Sequence, residues 1–372
     1  MIRPVLYVDL PGIIYAIDRR ARARNSEFAN FVCLPEREEP RSTLSAILSN
    51  LLPINPAVRT WLCEDHWRML GVAQVRRRPN NTAWDMTYLA SLPHRSANSE
   101  DVLLELLEYV VNTAILHGVQ RIFARIDDEA PELELFSRVL FQRYARELIY
   151  YLDPAALEPA HLERLTAPMI GKATMEPDLP LRRWHRHDEW GLLRLYHATT
   201  PHRVQTAELL TDSAEYAWLR GGPCGFWSRL LGGYPVDQYV CDLGVRLGGW
   251  LQVRRFGRRE PGQLALMVHP DNADLIVPLL QYGLRLLWEG GRKPVYCQVR
   301  EYETHIIAAL RSQGFEHIAT RALLVRHLTI RALQRRFAPS FEYRVIYGVK
   351  GWGIVTTRLY RGDETYYATG DH

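Results

Sequence analysis

The chain has 372 residues, of which 47% are hydrophobic and 24% charged, and its formal net charge is +4. This composition excludes a disordered or collagen-like chain, and the length predicts two or three domains. The five cysteines form no Cys-x-x-Cys pair. We therefore expect free thiols in a reducing cytoplasm and no metal site.

The basic residues are almost all arginines, since Lys172, Lys293 and Lys350 are the only lysines. They are scattered among 42 acidic residues rather than gathered in one run, so we predict no nucleic-acid partner. A transmembrane helix needs about 20 nearly uninterrupted apolar residues, and the sequence has no such stretch. It therefore predicts a soluble, cytoplasmic protein without a membrane partner.

In chain order, the first half opens with a short predicted strand and a helix that begins at Asp9. After a variable helical stretch the pattern predicts two strands, 69–77 and 84–91. A long helix follows, with apolar residues at helical spacing from Val102 to Ile115. The unit ends with a buried strand at 121–126, a further helix and a last strand at 144–152.

The second half repeats this order. A short strand at 181–184 precedes a helix that begins at Asp188, and strands are predicted at 248–255 and 263–269. The next elements are a long helix over 275–288, a strand at 294–299, a helix and a last strand at 319–328. The segment Gln74-Val-Arg-Arg recurs 178 positions later as Gln252-Val-Arg-Arg, and the long-helix pattern recurs 173 positions later. These ordered matches predict two copies of one domain.

The fold class predicted from this order is α+β, with a mixed sheet flanked by helices in each copy. We assign residues 1–152 to the first copy, 153–180 to a proline-rich connector and 181–330 to the second copy. Residues 331–372 have no counterpart in the first copy. Runs at 341–347 and 352–357 favour strands there, so this C-terminal extension is predicted to resemble a β-hairpin.

The element order, the opening Ile2-Arg3-Pro4 followed by Asp9, and the closing segment from Leu310 to Gly314-Phe315 resemble the GNAT acyltransferase superfamily. Residues 1 to about 330 look like a tandem of two such domains. The resemblance implies that acetyl-CoA or another acyl-CoA binds beside the central strands. It also implies that the acyl group passes to an amine, either a small molecule or a peptide.

The family's glycine-rich turn, which cradles the cofactor pyrophosphate at a helix N-terminus, is degenerate in both copies. The first copy keeps nine positions from Pro93 to Val102 without a glycine, whereas the second has five from Pro270 to Leu275. Asp271 and Asp274 would also repel a phosphate there. The resemblance therefore points to the first copy, with the cofactor-binding candidates Leu92, His94, Arg95, Ser96, Asn98 and Ser99.

The family's tyrosine that protonates the departing thiolate is also missing, because Phe136 and Leu310 stand at its place. Proton transfer from the amine requires a base beside the cleft. Asp85 and Asp127 are candidates in the first copy and His269 in the second. All three also have ordinary structural interpretations, as caps of turns or as hydrogen-bonded side chains.

Two functions fit these observations. The first is an acyl-CoA-dependent N-acyltransferase in which the first copy binds the cofactor and the second shapes the acceptor site or a homodimer. The second is a catalytically inactive GNAT-like protein that binds a small ligand or a protein partner. The retained loop length favours the first, whereas the missing glycines and tyrosines favour the second.

Overall fold

The computed structural model describes residues 1–9, 11–13, 58–66, 68–78, 82–92, 98–160, 165, 179–209, 236–255, 261–289, 291–328, 359–361 and 364–366. The chain divides into two compact units, Met1–Thr329 and Ile330–His372. No described helix is long and apolar enough to cross a membrane. Among the described residues, no three His, Cys, Asp or Glu side chains converge as a metal site.

The strands and helices of the first copy follow the predicted order, with one additional strand. In chain order they are β1 (Ile2–Pro4), β2 (Val58–Asp65), β3 (Arg68–Arg77), β4 (Ala83–Ser91), α1 (Ser99–Leu116), β5 (Arg121–Asp127), α2 (Leu133–Arg138) and β6 (Gln142–Leu152).

The second copy repeats this arrangement, again with a strand that the sequence pattern did not predict, β8. Its elements are β7 (Leu181–Arg183), α3 (Glu189–Thr199), α4 (His202–Glu208), β8 (Val236–Asp242), β9 (Leu247–Arg254), β10 (Gly262–Val268), α5 (Ile276–Trp288), β11 (Val295–Arg300), α6 (Thr304–Ser312) and β12 (Glu316–His327).

Strands β2 and β8 escaped prediction for the same physical reason. Each has three consecutive buried residues at its centre, Trp61 to Cys63 in β2 and Tyr239 to Cys241 in β8. Alternation of apolar and polar residues is therefore absent, and an apolar run of only three residues is too short to predict a strand, whereas the predicted strands β3 and β9 have five and seven consecutive buried residues.

Within the described residues of Met1–Thr329, twelve strands form one sheet in the order β1-β2-β3-β4-β5-β12-β6-β11-β10-β9-β8-β7. The neighbours β4/β5 and β10/β11 are parallel, and the other pairs are antiparallel. The order has a pseudo-twofold symmetry, but the last strands are exchanged. Strand β12 of the second copy pairs with β5, and β6 of the first copy pairs with β11. Each copy therefore completes the half of the sheet begun by the other.

The long helices α1 and α5 pack on the same face of their respective half-sheets. Leu106 of α1 and Leu279 of α5, 173 positions apart, are both fully buried. Close packing requires glycine beneath each helix: a Cβ on Gly71 would lie 2.9 Å from Leu106, and one on Gly249 would lie 2.8 Å from Leu279. The duplication therefore preserves the contact between helix and sheet, as well as the order of elements.

The outer ends of the sheet carry matching arginine clusters. Arg3 donates to both carboxylate oxygens of Asp9, at 2.7 and 2.9 Å, and Arg182 donates to Asp188 at 2.7 and 2.6 Å. These hydrogen bonds hold the pKa of both aspartates below the usual value. Asp188 is also the N-cap residue of α3, but its carboxylate makes no capping bond to that helix. It accepts instead from the backbone N–H of His185 at 2.8 Å, in a capping box with the short 3-10 helix Arg186–Asp188 that precedes α3.

In the second unit, β13 (Leu359–Arg361) and β14 (Glu364–Tyr366) pair as an antiparallel hairpin. The runs 341–347 and 352–357, for which the sequence predicts strands, lie outside the described residues. Most of the predicted connector, 153–180, also lies outside them.

Candidate functional site

The first candidate cleft lies where β4 and β5 separate. Their parallel pairing covers only three residue pairs, from Ala83/Arg121 to Asp85/Phe123. Beyond Asp85 the two strands have no paired residues, although β4 continues to Ser91. We call this separation the first cleft. Because the strands are parallel, their carboxyl ends lie at the same edge of the sheet.

A β-bulge accompanies the first cleft. Gln74 pairs with Tyr88 and Val75 with Met86, so Thr87 has no partner in β3. The buried side chain of Gln74 holds this irregularity: its Oε1 accepts from Thr87 Oγ1 at 2.8 Å, and its Nε2 donates to Thr60 Oγ1 at 3.1 Å. A bulge bends its strand locally and redirects the following side chains.

Asp85 lies at the inner end of the first cleft and is already engaged. Its carboxylate accepts from Nε and Nη2 of Arg78, at 3.0 and 2.8 Å. The Arg78 guanidinium lies 3.7 Å from the ring centroid of Phe123. In such a two-point ion pair both carboxylate oxygens already accept a hydrogen bond. The structure thus places this predicted base at the cleft and gives it a structural partner.

Asp127 lies at the carboxyl end of β5, at the edge where the strands separate, and its side chain is exposed. One carboxylate oxygen accepts from the backbone N–H of Glu129 at 3.0 Å. Its neighbour Asp128 forms ion pairs of 2.9 Å with Arg143 and Arg146. Of the two first-copy carboxylates, Asp127 is thus the one whose side chain is exposed.

The predicted cofactor-binding residues are described only in part, since His94, Arg95 and Ser96 lie outside the described residues. Leu92 is buried, and its N–H donates to Leu70 O at 2.6 Å. Asn98 is the N-cap of α1, where its Oδ1 accepts from Glu100 N at 3.2 Å. Ser99 is the first residue of α1 and is exposed.

The corresponding separation of β10 and β11, the second cleft, also begins after three parallel pairs, from Gly262/Val295 to Leu264/Cys297. Strand β10 pairs with β9 without a bulge from Gln263/Arg254 to Val268/Gly249. A 3-10 helix, Pro270–Leu275, leads directly into α5. His269 caps that turn, since its ring Nδ1 accepts from Asp271 N at 3.3 Å.

No family model and no curated protein matches this sequence. Solved structures match over most of it. A tandem GNAT protein from the clavulanic acid biosynthesis pathway has a TM-score of 0.55 and 15% identity, covering 88% of this chain and 98% of its own. A GCN5-related N-acetyltransferase from Sphaerobacter thermophilus has a TM-score of 0.54 and 13% identity, covering 88% and 95%. This chain has the tandem GNAT fold.

A third structure with a TM-score of 0.54 is a GCN5-related glucosamine N-acetyltransferase region of a fungal GH3 β-N-acetylglucosaminidase. It is 12% identical, and the match covers 88% of this chain and 38% of that one. These identities are low, so the comparisons establish the fold and the expected α+β architecture. The acceptor and the activity of this chain depend on its own residues and not on its fold.

The positions of the family's tyrosine are buried in both GNAT copies. Phe136 packs in the core beneath α1, and Leu310 lies in the corresponding core beneath α5. Neither side chain carries an ionisable proton. If either copy is catalytic, the departing thiolate must take its proton from another group or from water.

A buried polar cluster that the sequence pattern did not reveal links α4 to the centre of the sheet. Glu208, the last residue of α4, accepts from Tyr144 at 3.1 Å, from Tyr196 at 2.7 Å and from Arg300 at 3.2 Å. Its backbone carbonyl accepts from Arg121 at 2.6 Å. We call this the Glu208 cluster. It brings together residues of both copies from positions 121 to 300, so no local pattern could predict it.

Burial governs the ionisation of the groups around the Glu208 cluster. It raises the pKa of Tyr144 and Tyr196 above the usual value for tyrosine, so both remain hydrogen-bond donors at neutral pH. It also raises the pKa of Glu303 to about 7, despite a hydrogen bond from the backbone N–H of Arg300. These shifts follow from tight packing, and the cluster holds the two copies together.

Proposed function

We propose that this protein is an acyl-CoA-dependent N-acyltransferase, and that its first copy binds the cofactor and transfers the acyl group to an amine. The observation that supports this assignment is the asymmetry between the clefts. Only β4 combines the early separation from its parallel neighbour with a bulge and a nine-position interval before the next long helix.

The cofactor would bind with its pyrophosphate at the N-terminus of α1. This 18-residue helix begins directly after the 93–98 interval of the chain, and its first N–H groups carry the positive end of the helix dipole. No acceptor for the N–H groups of Ser99 and Asp101 lies among the described residues. His94, Arg95 and Ser96 are our proposed additional donors. Leu92 would contribute packing, because its N–H is bonded to Leu70.

Bound acyl-CoA would supply the thioester, and the chain would position the amine and remove its proton. We assign proton removal to Asp127, because its carboxylate is exposed at the cleft edge. In this assignment Asp85 stabilises the cleft through Arg78, and His269 stabilises the turn of the second copy. The acceptor is a small amine or a peptide amine that enters at the same edge.

A second candidate function is a non-catalytic GNAT-like protein that binds a small ligand or a protein. The full burial of Phe136 and Leu310 favours it, because neither copy offers a phenol where the family places its proton donor. In this case a retained cleft would bind CoA or another ligand without acyl transfer.

The experiment is a calorimetric titration of acetyl-CoA and of CoA into the full-length protein, with Ser99→Asp and Asn272→Asp as matched variants. These positions are 173 residues apart, at corresponding places of the two copies. An aspartate at the first residue of a helix is favourable for the helix, so Ser99→Asp should fold normally. It should repel a pyrophosphate and weaken acetyl-CoA binding by about tenfold or more.

Asn272→Asp should leave acetyl-CoA affinity unchanged. No acetyl-CoA or CoA binding by the wild type at millimolar ligand would refute the proposal. Equal affinity of Ser99→Asp and wild type would refute the placement in the first copy. Binding without release of the CoA thiol in the presence of polyamines, amino sugars and amine-terminated peptides would favour the non-catalytic function.

A further inference from the structure

Four charged residues lie side by side where the two copies join. On the neighbouring strands β5, β12, β6 and β11 they are Asp127, Arg321, Glu147 and Arg300. The register aligns Arg321 with both Asp127 and Glu147, and aligns Glu147 with Arg300. Directly opposed residues project from the same face of a sheet, about 5 Å apart. The charges thus alternate across four strands, and we call this the seam row.

The seam row straddles the pseudo-twofold axis of the sheet. Arg300 stands at the place in the second copy that Asp127 has in the first, and Arg321 stands at the place of Glu147. The axis passes between Arg321 and Glu147, which pair across β12 and β6. Residues at corresponding places of the two copies therefore carry opposite charges: Asp127 against Arg300, and Glu147 against Arg321. The core leucines Leu106 and Leu279, by contrast, match in kind.

The centre of the seam row is in a low-dielectric environment. Glu147 and Arg321 are both about 95% buried, and Arg321 Nη1 lies 3.7 Å from Glu147 Oε2. Burial opposes ionisation of Glu147, but Arg125, Arg300 and Arg321 outweigh it and lower the pKa of this carboxyl below its usual value. Charges at this depth interact much more strongly than surface charges.

The alternation has a consequence for pairing between copies. Two first copies from different chains, joined by the same strand pairing, would align Asp127, Glu147, Glu147 and Asp127. Two second copies would align Arg300, Arg321, Arg321 and Arg300. Like charges directly opposed across strands are destabilising, and burial increases the cost. We propose that the seam row makes the junction of β12 and β6 selective for the unlike copy, so that the tandem closes on itself and like copies of two chains do not pair.

The test neutralises the two central charges in the full-length protein. The variant Glu147→Gln/Arg321→Gln and the wild type are unfolded in urea, refolded at a series of concentrations and separated by size with light-scattering detection. Without opposed like charges, we expect the fraction of dimers and larger species to rise at least about threefold over the wild type, more so at high concentration. The control is Asp237→Asn/Arg255→Gln. It removes an ion pair with an N–O distance of 2.7 Å that does not belong to the seam row, and it should behave as the wild type.

A cysteine on the axis identifies which copies have paired. In Glu147→Cys/Arg321→Gln, residue 147 of one chain lies opposite residue 147 of a second chain only when two first copies pair. We expect a 147–147 interchain disulfide in the refolded dimers, located by peptide mass spectrometry. Equal oligomer fractions in the seam variant and the control would overturn the proposal, as would dimers without this disulfide.

A stability comparison extends the test to variants that stay monomeric. Arg321→Glu places three acids in a row, whereas Arg321→Gln leaves a neutral residue between two acids. The proposal therefore requires Arg321→Glu to unfold at a lower temperature than Arg321→Gln. Equal unfolding temperatures of the two variants, or a higher one for Arg321→Glu, would contradict the proposal that charge determines the pairing at the seam row.

Discussion

Leu140 holds a backbone conformation that leucine disfavours. Its φ is +61°, and the corresponding residue of the second copy is Gly314, with a φ of +86°. A left-handed conformation costs a residue with a Cβ about 1–2 kcal/mol, which exceeds the added chain entropy of glycine. The side chain is 69% exposed and contributes little burial. We expect Leu140→Gly to raise the free energy of unfolding by about 0.5–1 kcal/mol, measured in urea.

The matched control is Leu140→Ala, which removes the same exposed side chain but keeps a Cβ in the left-handed region. It should leave the free energy of unfolding unchanged or slightly lower. If alanine stabilised the protein as much as glycine does, the exposed leucine side chain would be responsible, and backbone strain would not.

At the scale of elements, the Glu208 cluster fastens the short helix α4 to strands of both copies. A seven-residue helix is too short to be stable alone, so its position depends on such contacts. Removing the Tyr144 hydroxyl leaves Glu208 with one donor fewer in a buried site. We expect Tyr144→Phe to lower the free energy of unfolding by about 1–2 kcal/mol. Hydrogen exchange of the α4 amides should also become faster.

Tyr109→Phe is the control for this prediction, because the ring of Tyr109 packs on Trp61 with ring centroids 6.0 Å apart and its hydroxyl has no hydrogen-bond partner among the described residues. It should change neither the free energy of unfolding nor the rate of hydrogen exchange of the α4 amides. Unchanged exchange in Tyr144→Phe would mean that apolar packing alone holds α4 in place.

At the scale of the whole molecule, the exchange of β6 and β12 predicts that the two copies unfold together. Neither half of the sheet is complete without a strand from the other copy. The variants Leu106→Ala and Leu279→Ala each create a cavity in a fully buried site and should cost about 2–5 kcal/mol. We expect each to shift a single calorimetric transition of Met1–Thr329 to lower temperature.

Two transitions, of which Leu106→Ala moves one and Leu279→Ala the other, would contradict this cooperativity. They would instead indicate that residues 1–152 and 181–330 are independent folding units. Hydrogen exchange of the α5 amides in Leu106→Ala provides the second readout, because a shared unit should lose protection in both helices.

Sequence periodicity predicted the two long helices, whose burial is one-sided. The pattern from Val102 to Ile115 gave α1, and its repetition gave α5, because each helix buries one stripe against the sheet. The sequence did not predict β2 and β8, whose buried apolar runs are only three residues long. For the candidate site, the sequence placed Asp85 on the strand β4 and Asp127 directly after the next strand, and Asp127 is the last residue of β5. It could not find Arg78 as the partner of Asp85, because that bond depends on the pairing of β3 with β4.

The sequence by itself determined that this protein is a tandem of two copies that differ in their candidate cofactor turns. The duplication, the α+β order, the nine-position interval of the first copy and the five-position interval of the second can all be read along the chain. Only the tertiary structure decided how the copies join. The exchange of last strands, the Glu208 cluster and the seam row bring together residues that are far apart in the chain, such as Arg121 and His327, which are 206 positions apart and pair across β5 and β12. Strand pairing and buried charge act through space, so no local pattern in the sequence records them.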